Sequence, residues 1–307
     1  MQSFRYYLKY PRKLGVALVH RLEWLPDKIY LQLLYFFEMG KPLNLKAPRT
    51  FQEKIQWLKL YNRKPEYTEM VDKYAVKNLV GSVIGAEFII PTIGVWNKFS
   101  DIDFDKLPNK FVLKTTHGGG NCGVIICRDK SKFDKEEAKQ KLEVSLRSSI
   151  YRSMREWPYK NVPRRIVAEQ LLEIPDSEDL SDYKIFCFNG EPKYIQVIQD
   201  RNTRETIDFY DTDWNHQDFI GLNKSAVPGK LVPKPDNLAE MLNAAKLIAG
   251  NTIFLRVDMY RVEEKIYFGE ATFFPASGFG YFTPKEWNSK LGNLISLYSI
   301  TPRQSDM

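Results

Sequence analysis

A glycine-rich stretch within residues 111–127 constrains the fold more than any other part of the sequence. An apolar run ending in Lys114 leads into His117-Gly118-Gly119-Gly120-Asn121-Cys122-Gly123, and a second apolar run, Val124-Ile125-Ile126-Cys127, follows. The glycines let the backbone turn sharply and approach a ligand closely. Exposed N–H groups in such a turn bind anions, and Lys114 adds a positive charge at its base. The stretch predicts either a structural hairpin or a flap that closes over phosphates.

Two common phosphate-binding loops do not fit this stretch. Its lysine precedes the glycines, whereas the G-x-x-x-x-G-K-[ST] loop places the lysine after them. No helix is predicted directly after the glycines, as a dinucleotide-binding fold requires. A strand–loop–strand flap is the phosphate-binding arrangement that remains.

The size and charge of the chain narrow the classes of partner. With 307 residues the chain is long enough for two domains. Its formal net charge of +7 favours anionic partners such as nucleotides, acidic glycans or anionic lipids. No long run of one charge sign occurs, which disfavours nucleic acid as a partner.

The cysteines and apolar segments predict a cytoplasmic location. The three cysteines form neither a C-x-x-C pair nor a regular framework, and the three histidines are scattered, so neither a disulfide scaffold nor a zinc site is expected. No stretch reaches the roughly 18 apolar residues of a membrane span, and no secretory signal is recognised.

Residues 1–47 are basic and aromatic and predict a helical extension. Ile29, Leu33, Phe36 and Phe37 recur at helical spacing, so we expect them to form the apolar face of one helix. Two interpretations remain for this extension. It is either packed on the main body or docked peripherally on an anionic inner membrane face.

The rest of the chain mixes helix and strand patterns, which places it in the α+β class. Thr50 and Glu53 form a capping box at the start of one helix. A second helix, over about residues 66–79, carries Asp72-Lys73, a pair that a solvated surface position would explain. Asn189-Gly190 predicts a hairpin over residues 184–198.

Two late strands carry candidate catalytic residues. Arg256 and Asp258 lie two apart on one strand and share a face, as Glu270 and Thr272 do on the next. If the strands are neighbours, these charges converge on an otherwise apolar sheet face, where charges without a ligand are costly. Two carboxylates suit Mg²⁺ that also binds nucleotide phosphates. The alternative is a mutual ion-pair network.

Taken together, these segments resemble the TupA-like ATP-grasp family, which is linked to bacterial surface-polysaccharide and teichuronopeptide synthesis. The resemblance spans residues 48–293 and rests on residues 50–60, Asp72-Lys73-Tyr74-Ala75-Val76-Lys77, residues 111–123, residues 182–190, residues 256–260 and Phe268-Gly269-Glu270. It implies an ATP-grasp fold, in which two α+β subdomains grip ATP. The implied divisions are an N-terminal helical extension (1–47), a pre-ATP-grasp region (48–107), a small lid subdomain with the flap (108–170) and a large catalytic subdomain (171–307).

The resemblance also implies how ATP would be bound. Lys114 would contact the α- and β-phosphates, and Lys184 would be a second phosphate lysine. The remaining ATP-binding candidates are the flap glycines Gly118, Gly119, Gly120 and Gly123, the adenine-lining residues Glu169, Gln170 and Leu172, and Asp176, with Glu173 as the alternative, at the ribose.

Mg²⁺ would be bound by Asp258 and Glu270, and Arg256 would stabilise the charge that develops during acyl transfer. The chain departs from the superfamily at one position. The usual Glu-x-Asn metal motif is replaced by Glu270-Ala271-Thr272, and a threonine hydroxyl is a weaker metal ligand, so a second metal position is left open.

The implied activity is ATP-dependent carboxylate–amine ligation through an acyl phosphate, which would modify a surface polysaccharide or its precursor. The partners would be a small-molecule or glycan acid and an amine donor, in a pocket near Asp200 and Arg201. The loop at residues 275–278 would close near the acyl phosphate.

Two alternatives to ligation are retained. A glycosyltransferase is suggested by the D-x-D triplets Asp101-Ile102-Asp103, Asp103-Phe104-Asp105 and Asp211-Thr212-Asp213. A kinase or a nucleotide-binding protein without catalysis is suggested by Thr272.

Overall fold

The computed structural model describes residues 9–120, 123–173, 180–199, 205–222 and 231–297. Helices and strands alternate irregularly along the chain, which confirms the α+β class. The helices are α1 (Pro11–Val19), α2 (Asp27–Met39), α3 (Phe51–Tyr61), α4 (Glu66–Val71), α5 (Ala75–Ile84), α6 (Lys135–Arg147), α7 (Ile150–Met154), α8 (Leu238–Ala249) and α9 (Glu286–Leu294). The strands are β1 (Thr92–Trp96), β2 (Phe111–Thr115), β3 (Val124–Cys127), β4 (Ile166–Gln170), β5 (Ser181–Phe188), β6 (Glu191–Gln199), β7 (Thr206–Asp211), β8 (His216–Gln217), β9 (Phe254–Val262) and β10 (Lys265–Thr272).

A six-stranded antiparallel sheet, in the order β10-β9-β5-β6-β7-β8, forms the larger layer. Asn189 and Gly190 join β5 to β6 with φ values of 51° and 81°, the left-handed geometry that a two-residue hairpin turn needs. Helix α8 packs its apolar face on β5, β6 and β9, and Phe51 at the start of α3 meets Phe254 edge to face. These elements share the largest hydrophobic core.

A four-stranded antiparallel sheet, in the order β1-β4-β2-β3, has its own core. Helix α6 supplies Ala138 and Leu142 to this core, opposite Phe111 and Leu113 of β2. Strand β1 pairs with β4 although it precedes residue 108, so this sheet draws on both the predicted pre-ATP-grasp region and the predicted lid.

The N-terminal helices form a third core, and the predicted face of α2 is wrong for two of its four residues: Leu33 and Phe37 pack against this core, whereas Ile29 and Phe36 do not. The buried residues of α2 are Tyr30, Leu31, Leu34 and Tyr35, whereas Ile29 and Phe36 are 46% and 49% exposed. Two of the four buried residues are tyrosines, whose hydroxyl groups make this face less apolar than the predicted one. The pattern of apolar residues in the sequence therefore does not identify it. Tyr30 satisfies its hydroxyl by donating to the carbonyl of Ser153 at 2.8 Å. No helix among the described residues has the length and apolar character that crossing a membrane requires.

Candidate active site

The first charged cluster lies on the four-stranded sheet. Lys114 at the end of β2 and Lys77 in the first turn of α5 both contact Glu169 of β4, at 2.5 Å and 2.7 Å between nitrogen and carboxylate oxygen. Glu169 is buried, which by itself would raise its pKa, but the two ammonium groups outweigh this and lower the pKa. The carboxylate is therefore the counter-ion of two lysines at the base of the glycine turn.

The second cluster lies on the six-stranded sheet, where β10, β9 and β5 are neighbours. The register sets Lys184 opposite Asp258, Asp258 opposite Glu270, and Arg256 opposite Thr272. The Arg256 guanidinium holds Asp258 with two contacts of 2.6 Å and 2.7 Å. Lys184 Nζ lies 2.5 Å from the same carboxylate. The predicted convergence of these charges on one sheet face is present.

Arg256 also links Asp258 to the adjacent strand. Its Nη2 lies 3.3 Å from Glu270 Oε1 and donates to Thr272 Oγ1 at 3.1 Å. Burial alone would raise the pKa of Glu270, but the positive charges of Lys73 and Arg256 outweigh it and lower the pKa. Without a ligand, this cluster is an ion-pair network in which each charge is compensated.

Lys73 lies between the two clusters, just before α5. Its Nζ contacts Glu270 Oε2 at 2.7 Å, and its backbone N–H donates to the carbonyl of Thr116 beside the glycine turn. Burial opposes its charge, but Glu270, with smaller contributions from Glu169 and Asp258, raises the pKa of Lys73. The side chain is therefore a fixed cation that faces both sheets.

The glycine turn joins β2 to β3 as predicted. Gly120 and Gly123 have φ values of 57° and 75°, in the left-handed region that favours glycine. A Cβ on Gly123 would overlap Ser145 Oγ, whereas a Cβ on Gly120 would meet nothing within 4 Å. Gly123 is needed for packing and Gly120 faces open space, so the tip of the turn is free to approach a ligand closely.

The structure gathers most of the predicted site residues around these clusters. Gln170 ends β4, is exposed, and donates its N–H to the carbonyl of Pro91 at 3.0 Å. Leu172 follows in the segment between the sheets, and the alternative ribose ligand, Glu173, contacts Lys110 at 2.8 Å. Their adenine and ribose roles stay predictions. Asp176, Asp200 and Arg201 lie outside the described residues, as do Asn121 and Cys122 of the flap.

Four residues in and beside the clusters were not predicted as site residues. Asp72 and Lys73 are not a solvated surface pair: Asp72 is 2% exposed and accepts from Arg165 at 2.8 Å. Lys77 and Asp182 are likewise buried in ion pairs, Asp182 with Lys184 at 2.8 Å. The signal available in the sequence was the spacing of Lys73 and Lys77, four residues apart within the predicted helix over about residues 66–79, although the structure places Lys73 just before α5.

The D-x-D triplets have structural roles that disfavour a metal–diphosphate site. Asp211 Oδ1 accepts from the N–H groups of Asp213 and Asn215, and its Oδ2 accepts from the Asn215 amide. Asp103 Oδ1 likewise accepts from the N–H of Asp105. These carboxylates stabilise turns, as short acidic side chains commonly do.

The second cluster has a donor set that suits Mg²⁺ bound together with phosphate. Asp258 and Glu270 are cross-strand neighbours, and both carboxylates contact the Arg256 guanidinium. The Glu270 side chain is 32% exposed. Among the described residues no three His, Cys, Asp or Glu side chains form a metal cluster. A cation here would take its other ligands from phosphate and water, as Mg²⁺ prefers.

Two antiparallel sheets that each carry a charged cluster, with Lys73 contacting Glu270 of one sheet and the carbonyl of Thr116 beside the glycine turn of the other, are the arrangement of an ATP-grasp fold. The TupA-like ATPgrasp family model matches residues 53–296, and the chain belongs to this family. Comparison with curated proteins gives no match.

Solved structures with a similar fold include D-alanine–D-alanine ligase from Bacillus anthracis, at 20% identity and a TM-score of 0.45 over 74% of this chain and 66% of that one. An ADP complex of PurK, N5-carboxyaminoimidazole ribonucleotide synthetase, has 15% identity and a TM-score of 0.42 over 72% and 50%. The ATP-grasp ligase PsnB with minimal precursor, Mg and ADP has 12% identity and a TM-score of 0.37 over 72% and 57%. The chain thus spans less than two thirds of the length of these proteins.

Proposed function

We propose that the protein is an ATP-dependent ligase that joins a carboxylic acid to an amine through an acyl phosphate. The observation that carries this proposal is the bridge at Lys73, whose side chain contacts Glu270 of the six-stranded sheet and whose backbone N–H contacts the carbonyl of Thr116, beside the glycine turn of the four-stranded sheet. A triphosphate lying between the sheets would meet Lys114 and Lys77 on one side and Lys184 and Arg256 on the other. Membership of the ATP-grasp family supports the same nucleotide.

The reaction would proceed in two displacements. A carboxylate oxygen of the acid attacks the γ-phosphorus of ATP, the bond from that phosphorus to the ADP oxygen breaks, and an acyl phosphate forms. The amine nitrogen then attacks the acyl carbon, phosphate leaves with the oxygen that joined it, and the amine loses a proton to solvent. Arg256 would stabilise the oxyanion of the tetrahedral step.

The residues of the two sheets would divide the work of binding. Lys114 and Lys77 would move from Glu169 to the phosphates, and the turn at Gly118–Gly120 would cover them. Mg²⁺, held by Glu270 and Asp258, would neutralise phosphate charge. Thr272 supplies neither a carboxylate nor an amide oxygen as a metal ligand. The proposed site therefore binds a single Mg²⁺ through protein side chains.

The substrate class follows from the family rather than from a described pocket. We propose a bacterial surface polysaccharide of the capsular or teichuronic type, or its precursor, as the acceptor, with an amino acid or amino sugar as the partner in amide formation. A cytoplasmic enzyme at the inner face of the membrane would meet such precursors.

The test begins with thermal melting in the presence of a non-hydrolysable ATP analogue with Mg²⁺, and separately with sugar nucleotides. We expect only the ATP analogue to raise the melting temperature, because a ligand of the folded state stabilises it. Hydroxylamine then serves as a general amine while a panel of uronic and amino acids is tested for acyl hydroxamate and ADP. A shift with sugar nucleotides alone would overturn the proposal in favour of glycosyl transfer. ADP release without hydroxamate, from any acceptor, would favour a kinase.

A further inference from the structure

The first two helices expose an unusual number of large apolar side chains. Of the twelve large apolar residues that are exposed in the described part of the chain, six lie between residues 10 and 36. They are Tyr10, Leu14, Leu18, Trp24, Ile29 and Phe36, and Trp24 is 76% exposed. Ile29 and Phe36 of the predicted apolar face of α2 are thus turned outward, which leaves apolar surface in contact with water.

These side chains form two stripes that meet. Leu14 and Leu18 are one turn apart on α1, on the side away from the buried Val16 and Val19. Ile29 and Phe36 lie two turns apart on α2, opposite its buried face. Gly15 of α1 packs directly on the Phe37 ring, and this ring is 5.4 Å from that of Phe36. The close approach at Gly15 brings the two helices together next to Phe36, at the end of the stripe of α2.

The charges around this surface have one dominant sign. Lys9, Arg12, Lys13 and Arg21 are exposed along α1 and just after it. The acidic residues of the same region are engaged in ion pairs: Glu38 with Lys13, Glu23 with Arg152, and Asp27 with Arg63 and Arg155. Burial lowers the pKa of His20, so this ring adds no charge at neutral pH. The surface therefore combines apolar side chains with an excess of arginine and lysine.

We infer that this surface, defined by the outward faces of α1 and α2 and by Trp24, docks on an anionic lipid bilayer. Apolar side chains enter the boundary between headgroups and acyl chains, and basic side chains at the same level bind anionic headgroups. Self-association fits less well, because a two-fold contact through this surface would bring Arg12 and Arg21 against like charges. The inference does not depend on the ligase activity.

The rest of the fold would hold the docked surface in a fixed orientation. Asp27 of α2 contacts Arg155, which is 2% exposed and lies with its guanidinium carbon 3.8 Å from the centre of the Tyr30 ring. Arg155 follows α7 and also donates to the carbonyl of Glu23 at 2.7 Å. Docking through α1 and α2 would therefore hold α7 and Arg155, which lie between β3 and β4 in the chain, close to the lipid surface.

The experiment is co-sedimentation of the full chain with vesicles of phosphatidylcholine, with or without phosphatidylglycerol. We expect binding to the vesicles that contain phosphatidylglycerol, weakened by salt. The double variant Leu18→Glu/Trp24→Glu should bind at least about tenfold more weakly. The matched control is Leu247→Glu, which replaces a 48% exposed leucine on α8 and should bind like the wild type.

A second double variant, Arg12→Glu/Arg21→Glu, tests the charges without changing the apolar stripes, and melting curves check that every variant is folded. Equal binding of the wild type and both double variants would overturn the inference. So would equal binding to both kinds of vesicle, or no binding at all. A wild-type dimer in solution that Leu18→Glu/Trp24→Glu converts to monomer, without any vesicle binding, would assign the surface to self-association instead.

Discussion

Each candidate phosphate-binding lysine is paired with a carboxylate that ATP would have to replace. Lys114 and Lys77 share Glu169, and Lys184 shares Asp258 with Arg256. Such pairing removes the cost of burying bare cations in the ligand-free protein. The effect of replacing one residue of a pair on stability therefore depends on whether its partner keeps another counter-ion.

The substitution Lys114→Ala should weaken ATP binding and leave the fold intact. Glu169 keeps Lys77 as its counter-ion, so no buried charge is left alone. Loss of one charge-assisted phosphate contact should weaken binding by about tenfold to a hundredfold. Calorimetric titration with an ATP analogue measures this, with Lys141→Ala, an exposed lysine of α6, as the control. Wild-type affinity in the Lys114 variant would rule out the flap site.

Asp258→Asn should spare ATP binding and lower turnover by about a hundredfold, because the metal loses a carboxylate. The variant should also unfold more easily, by about 3 kcal/mol, since Arg256 and Lys184 lose a shared counter-ion. Hydroxamate formation and urea unfolding report the two effects separately. Asp208→Asn, which removes a buried carboxylate of β7 that contacts the exposed His216 of β8, is a control for loss of a carboxylate elsewhere in the same sheet. Undiminished turnover in Asp258→Asn would contradict the metal assignment.

The β2–β3 hairpin contains the glycine turn, and its Gly120 and Gly123 have different surroundings. Gly123 lies against Ser145 of α6, whose hydroxyl is 2.7 Å from that of Thr115, while Gly120 is at the open tip. A side chain is therefore accommodated at Gly120 but not at Gly123.

Gly123→Ala should destabilise the protein by about 3 kcal/mol, from left-handed strain together with overlap at Ser145. Gly120→Ala has the same strain without the overlap and should cost about 1 kcal/mol. Urea unfolding of the two variants tests this difference. If they are equally stable, the packing of the turn on α6 is not as described.

The whole molecule combines three hydrophobic cores, one for each sheet and one for the N-terminal helices. Segments that connect the cores carry buried ion pairs, among them Lys73 with Glu270 and Arg165 with Asp72. Stability of the assembled molecule should therefore depend on carboxylate ionisation.

Acid should destabilise the molecule below about pH 4.5, the ordinary pKa of glutamate. The pKa values of Glu169 and Glu270 are lowered in the folded state, so their stabilisation is present above that pH and is lost as protons are taken up below it. Urea unfolding from about pH 7 to about pH 3.5 should show this decline. Glu169→Gln should flatten the decline and be less stable at pH 7, and an unchanged slope would contradict the role of Glu169.

By itself the sequence determined those features that depend on local chemistry. The Asn189-Gly190 turn, the Thr50 capping box and the glycine turn follow from backbone preferences, and alternation placed Arg256 with Asp258 on one strand face. These properties depend on residues close together in the chain, so periodicity and turn composition are sufficient to predict them.

Only the tertiary structure decided which faces are buried and which distant charges meet. Leu33 and Phe37 of α2 are half-buried and Ile29 and Phe36 are exposed, because Tyr30 finds a hydrogen-bond partner 123 residues away that allows a tyrosine face to pack inward. Likewise, Lys73 joins the charged cluster because Glu270, 197 residues away in the chain, lies on β10 beside β9 and contacts its Nζ. Such contacts join segments that are far apart in the chain, and no periodic pattern in the sequence indicates which segments will meet. The packing of the folded chain determines these partners.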